Sequence, residues 1–224
     1  HFKGELSTDL RRRQEGVRIK HRLNRNSIKM YDKQGSVLRV ETTIYDPRDL
    51  RVYRPKEGDS RGPKDWRIMR KAVADMYRRA EFCQRANDRY LESMATVESG
   101  VPLGTLVERS CHSTTWKGQR VRGLNPLGED AALLEAVSRG EFHIQGFRNR
   151  DLRPLLCGEQ PADPREVRRQ SGMITRKLRL LRAHGLIHKV PKTHRYRLSP
   201  AGRVAITALL AARAADTAKL TSAA

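Results

Sequence analysis

The sequence predicts an α+β protein: an N-terminal antiparallel β-meander with a long helix, then a second, mainly helical domain that contains one tight hairpin. Three observations predict it. Residues 16–44 alternate apolar and polar side chains with period two. Residues 66–99 carry apolar side chains at spacings of three and four. After residue 128, stretches of helix length are separated by Gly and Pro.

The meander is read as three strands. GVRIKHRL (16–23) alternates apolar and basic residues, SIKMYDK (27–33) follows a turn-like NRN, and VLRVETTI (37–44) follows QGS, which places Gly35 for positive φ. A further short strand is expected from Leu50 to Tyr53. A polar loop over 54–64 leads to Asp65, read as the cap of a helix from Trp66 to Ser99. Its buried stripe would be Met69, Val73, Met76, Ala80, Cys83, Asn87, Tyr90 and Met94. Gly100 stops that helix, Pro102 starts a short one through Val107, and 116–122 reads as a short strand or basic loop. The segment GLNPLG (123–128) is the expected boundary, giving domains 1–123 and 124–224.

In the second domain, 130–139 is a helix with Ala131, Leu134 and Val137 inward, and 142–144 is a short strand. Residues 149–156 form a second helix, and Pro164 to His184 a third that Gly185 ends. Ile174, Leu178 and Leu181 are its inward side. Strands at 186–190 and 194–198 flank a turn at 191–193. Ser199-Pro200 then caps a final helix from Ala201 to Leu220.

The chain has 224 residues, 46 Lys+Arg and 25 Asp+Glu, a formal net charge of +21. Solubility alone is served by mixed charges, so an excess of this size points to a polyanionic partner, nucleic acid before an anionic membrane. No apolar run is long enough to span a bilayer, and no signal-peptide pattern opens the sequence. The lack of an initiator Met makes the chain a candidate C-terminal part of a longer protein. Three widely spaced cysteines, Cys83, Cys111 and Cys157, form no CxxC pair, which argues against a structural zinc or disulfide framework and fits a reducing cytoplasm. No phosphate loop, dinucleotide fingerprint or Ser-His-Asp arrangement is present, and no cofactor or metal is expected.

The order helix, strand, helix, helix, hairpin, helix is that of a winged helix-turn-helix domain. Residues 181–203, LRAHGLIHKVPKTHRYRLSPAGR, carry the resemblance. They resemble the recognition-helix end, wing and following helix of MarR-like regulators, with "Leu…Gly-Leu-Ile" leading into the wing and "Tyr-x-Leu-Ser-x-x-Gly" leading out. The resemblance implies a winged-helix fold with its recognition helix at 164–184 and wing at 187–198, and the charge of this copy is what points to DNA. From Pro164 to Arg197 there are eleven Lys/Arg and one acid, Glu166. The expected nucleic-acid contacts are Arg165, Arg168, Arg169, Thr175, Arg176, Lys177, Arg179 and Arg182 on the helix, and Lys192, His194 and Arg195 on the wing. A secondary basic face is expected from Lys29, Lys33, Arg67, Arg70, Lys71, Arg78, Arg79, Lys117, Arg120 and Arg122.

The N-terminal hairpin places Lys29, Tyr31 and Lys33 on one strand face and Arg39 and Glu41 on one face of the next, a row of paired charges on an otherwise apolar sheet. The pattern KMYDKQGSVLRVE (29–41) is similar to a hairpin in filamentous-phage and rolling-circle plasmid replication initiators. That resemblance implies a nicking Tyr beside a metal held by a His-hydrophobic-His pair. The pair is absent here, since His21, His112 and His143 are isolated and His184, His188 and His194 fall in the second domain. Tyr31 is therefore read as a packed strand tyrosine, and catalytic residues are not assigned. Three functions follow: a cytoplasmic DNA-binding protein of the transcription-regulator kind; the C-terminal part of a DNA-replication or mobile-element enzyme; and an RNA-binding ribonucleoprotein component.

Overall fold

A computed structural model describes residues 5–14, 16–33, 35, 37–95, 101–158 and 161–216. The protein is mixed α+β, with an N-terminal antiparallel four-strand sheet and, among the described residues, six α-helices. It divides into two compact units, residues 1–92 with 140–145, and 93–139 with 146–224.

In the first unit, strands β1 (Leu6–Arg13), β2 (Gly16–Leu23), β3 (Asn26–Lys33) and β4 (Val37–Thr43) pair in sequence order. The meander thus has four strands rather than the expected three. The register sets Arg11 opposite Arg18, Lys20 opposite Lys29, Lys29 opposite Glu41 and Tyr31 opposite Arg39. Period two then sorts the sheet into two faces. Leu23, Ile28 and Met30 are buried on one. The short 3-10 turn Gly140–His143 packs on this sheet, and Thr8 Oγ1 donates to the buried Glu141 at 3.0 Å. His21 Nε2 lies 3.1 Å from the Tyr90 hydroxyl, and Thr42 Oγ1 donates to Asn87 at 2.7 Å. Those bonds tie the face to helix α1 (Met76–Ala95). The turn replaces the strand expected at 142–144; its backbone is held by Arg89, which donates to the carbonyls of His143 and Ile144.

The expected helix from Trp66 begins ten residues later. Asp65–Ile68 is instead β6, paired with β5 (Arg51–Arg54), with Tyr53 and Trp66 side by side across the pair. Asp65 caps no helix; its carboxylate accepts from the Trp66 N–H. The inward stripe of α1 contains Ala86 and Tyr90, whereas Val73 and Met76 are exposed. A short 3-10 turn, Val73–Asp75, precedes α1 and buries Asp75 completely. The expected ends at Ser99 and Gly100 lie outside the described residues.

In the second unit, α2 (Leu103–Cys111) and the hairpin β7 (Thr114–Trp116) and β8 (Gln119–Val121) precede α3 (Ala131–Val137). The hairpin turns at Lys117 and Gly118, both at positive φ (50° and 73°), as a two-residue turn of this hand requires. Then come α4 (Asn149–Cys157), α5 (Pro164–Ala183), the pair β9 (Ile187–Lys189) and β10 (Tyr196–Leu198), and α6 (Pro200–Ala214). Phe147 adds a single antiparallel bridge to Tyr196. Ile174, Leu178 and Leu181 of α5 are buried together with Leu133, Leu134, Leu152 and Ile206. Asp163 caps α5 by accepting from the Arg165 N–H, and Ser199 caps α6 by accepting from that of Gly202. Gly202 cannot be otherwise: a Cβ there would collide with the Leu186 carbonyl. The part of α6 expected beyond residue 216 is outside the described residues.

No described helix is long and apolar enough to cross a membrane.

Candidate nucleic-acid interface

Helix α5 buries one side through Ile174, Leu178 and Leu181, so residues half a turn away must face outward. Arg165, Arg168, Arg169, Thr175, Arg176 and Arg179 are all exposed. Arg165, Arg168, Arg176 and Arg179 stand at i, i+3, i+11 and i+14, a nearly straight line of guanidinium groups along the helix. Gly172 falls on the same line, and a Cβ there would meet only the Arg176 guanidinium, at 3.8 Å. Arg169 is partly neutralised by Glu166, with Nε to Oε2 at 2.7 Å. Thr175 donates to the Ser171 carbonyl at 2.8 Å and accepts from Asn149, so it joins α5 to α4.

Two of the expected contacts belong to the scaffold. Lys177 is half-buried, its ammonium 3.6 Å from the Asp130 carboxylate. Arg195 is buried at 5 % exposure, and its charge acts on the buried Asp151. It faces inward because positions alternate on the hairpin arm, so the wing presents Lys192 and His194, both exposed, and not Arg195. Lys192 sits in the turn at φ 58°.

The hairpin β7–β8 completes the basic surface and was not foreseen as a neighbour of α5. Trp116 lies under two guanidinium groups, those of Arg182 at 5.0 Å and Arg179 at 5.9 Å from its ring, with the Lys117 ammonium at 5.2 Å. Arg179 also donates to the Gln119 amide. His184 Nε2 lies 2.8 Å from the Arg122 carbonyl oxygen. Between hairpin and helix runs a groove of about 530 Å³, lined by Arg120, Arg122, Met173, Arg176, Lys177 and Arg179 among others. The pair Lys117-Gly118 after an aromatic residue signals the hairpin's turn but not its place beside α5.

Asp130 is the groove's counter-charge. It is fully buried and accepts from Arg122 at 2.7 and 2.9 Å and from the Asn125 N–H at 2.9 Å. Burial pushes its carboxyl up, but the Arg122 and Asn125 bonds and the Lys177 charge together hold it below the usual carboxylate range. A carboxyl depressed on folding stabilises the fold above its unfolded pKa, and that contribution is lost as pH falls through the folded one. The stability difference between wild type and Asp130→Asn is therefore expected to be full above about pH 5. It should shrink as pH falls into the carboxylate range, read as urea midpoints. A difference that stays constant down to pH 3 would remove the carboxylate's charge from the account.

The remaining secondary-face residues fall in both units and have different partners. Arg120 and Arg122 line the α5 groove, and Lys117 lies over the Trp116 ring. Arg70 and Arg78 instead surround the buried Asp75, Arg70 also pairing with Glu57. Arg79 donates to the Arg70 and Ala72 carbonyls, and Arg67 is half-buried on β6. Lys71 stacks on Tyr45 at 4.5 Å. Lys29 pairs with Glu41 at 2.8 Å, while the Lys33 side chain is outside the described residues. Tyr31 donates to Glu41 at 2.9 Å between Lys29 and Arg39, and its face of the sheet is basic rather than otherwise apolar. Among the described residues no three His, Cys, Asp or Glu side chains are placed to hold a metal.

Comparison with protein-family models, with curated proteins and with solved structures found no match to this chain.

Proposed function

We propose that the protein binds nucleic acid, with duplex DNA as the preferred partner, through α5 and the two hairpins of its second unit, in the manner of a winged helix. The line of exposed guanidinium groups along α5 carries the reading. It lies opposite the helix's buried side. Of the carboxylates around it, Asp130 is engaged by Arg122 and Lys177, Glu129 by Arg122, and Glu166 by Arg169, while Asp163 accepts from the Arg165 N–H. The order α3, bridge at Phe147, α4, α5, β9–β10, α6 supports the winged-helix plan. In that plan α5 enters the major groove, where Arg reads guanine with two hydrogen bonds, and the β9–β10 turn reaches phosphates.

Direct readout separates from charge in one experiment. A preferred site is selected from a random duplex pool, and variants are titrated at fixed salt. Arg176→Ala is expected to weaken the selected site by about 1–3 kcal/mol more than random DNA. Lys192→Ala should weaken both nearly equally, because phosphates carry no sequence. Equal losses for Arg176→Ala on both would mean that α5 does not read bases. Failure to select any duplex, with tight binding to a folded RNA, would favour the ribonucleoprotein reading instead.

A further inference from the structure

The second face of the four-strand sheet is charged in a way that the packing of the first unit does not explain. The pairing registers place Arg11, Arg13, Arg18, Lys20, Arg22, Lys29 and Arg39 on this face, with only Asp9 and Glu41 of opposite sign among the described strand residues. Arg11 and Arg18 face each other directly across β1 and β2, as do Lys20 and Lys29 across β2 and β3. Like charges directly opposite destabilise a sheet. The acids relieve this only in part. Asp9 is shared by Arg11 at 3.1 Å and Arg18 at 3.0 Å, and Glu41 by Lys29 at 2.8 Å and Arg39 at 2.7 Å. Burial and the neighbouring Arg22, Arg18 and Lys29 charges lower the affinity of Lys20 for its proton. Arg13 and Arg22 are exposed.

The face is also hollowed. Gly16, opposite Arg13, has no side chain to fill the corner, and its φ of 131° together with the nearby Asp32 carbonyl excludes one. The resulting hollow holds about 380 Å³ and is lined by Arg11, Arg13, Arg18, Lys29, Tyr31 and the acidic Asp32, among others. That volume suits one small ligand or one unpaired nucleotide.

We infer that this face is a second nucleic-acid site, separate from α5, which takes a single-stranded segment: phosphates lie along the Arg and Lys rows and one unpaired base enters the hollow against Tyr31. Arginine predominates because its planar fork matches phosphate oxygens. A duplex keeps its bases stacked and could not fill the hollow. An anionic membrane is the poorer match, because among the described residues of this face Val37, at the start of β4, is the one exposed large aliphatic side chain, and lipid headgroups would leave the hollow unused. Single strands are held in this way elsewhere, by a cationic track with an aromatic ring for a base.

The test uses the whole chain and two fluorescent probes, a mixed-sequence 20-nucleotide single strand and a 20-base-pair duplex. The triple variant Arg11→Gln/Arg13→Gln/Arg22→Gln alters exposed side chains only. It is expected to bind the single strand about tenfold more weakly, with a log–log salt slope smaller by about 2, at roughly 0.7 per lost contact. Its duplex binding should stay unchanged. Arg168→Gln/Arg176→Gln should do the reverse, so that failure of this site and failure of the α5 reading give different results. Tyr31→Phe should bind the single strand as wild type does and Tyr31→Ala roughly tenfold more weakly, the size of one lost base stack. Unchanged single-strand affinity in the triple variant overturns the proposal, as does equal loss of both probes. So does a variant that loses binding to phosphatidylserine vesicles while keeping the single strand. Unchanged binding by Tyr31→Ala overturns the placement of a base in the hollow.

Discussion

Asp75→Ala is expected to destabilise the first unit by about 3–5 kcal/mol, the range for removing one partner of a buried ion pair. Asp75 is fully buried, 3.5 Å from Arg54 Nε and from Arg78 Nη1 and 3.6 Å from Arg70 Nε. It also accepts from the Arg70 N–H at 2.9 Å, which fixes the turn before α1. Without it, the Arg54 guanidinium stays in the interior at 9 % exposure among further arginines and no longer meets that carboxylate. Arg70 and Arg78 have exposed routes to water, so the cost falls chiefly on Arg54 and on the orphaned N–H. Asp75→Asn keeps an acceptor for that N–H and should fall between the two. The chain has two tryptophans, and Trp66 reports on the first unit once Trp116 is replaced by Phe. Urea unfolding followed through Trp66 gives the comparison directly. A loss below 1 kcal/mol would mean that the arginines gather there without needing the carboxylate.

Why was part of the architecture legible in the sequence and part not? Strands β2 to β4 were readable because Ile19, Ile28, Met30 and Val40 alternate with charged residues, and a period of two leaves one register that buries them. In β1, Leu6, Thr8 and Leu10 alternate as well, but LSTDLRRR carries so much charge that only pairing with β2 makes it a strand. The α1 pattern was extended backwards through Met69 and Val73. Met69 is indeed buried, but in a cluster with Leu50 and Val52 that belongs to the β5–β6 pair. A three-to-four spacing across a strand and a turn imitates a helix face for that short distance. Residues 142–144 are apolar and short enough for either a strand or a turn, and tertiary bonds to Arg89 decide it.

The same limit applies to the candidate site. Ile174, Leu178 and Leu181 identify the inner side of α5, and its outer arginines follow from them. Composition cannot tell a scaffold cation from a free one, however. Lys177 and Arg195 read like their neighbours, and only the position of Asp130 and the hairpin's inward side distinguish them. The basic sheet face was half visible as Lys29 and Lys33. Its breadth depends on β1, the strand whose charge hid it.

The central claim is that phosphate contacts from α5 and the two hairpins of the second unit drive binding to duplex DNA. The most direct measurement is the affinity of the whole chain for a duplex titrated from low to moderate salt. A footprint of about six phosphates gives a log–log slope of about −5 or steeper, since each neutralised phosphate contributes roughly 0.9. Between 50 and 200 mM salt that corresponds to a loss on the order of a thousandfold. A slope of that size is the predicted result; an affinity that stays flat across the range would contradict the account.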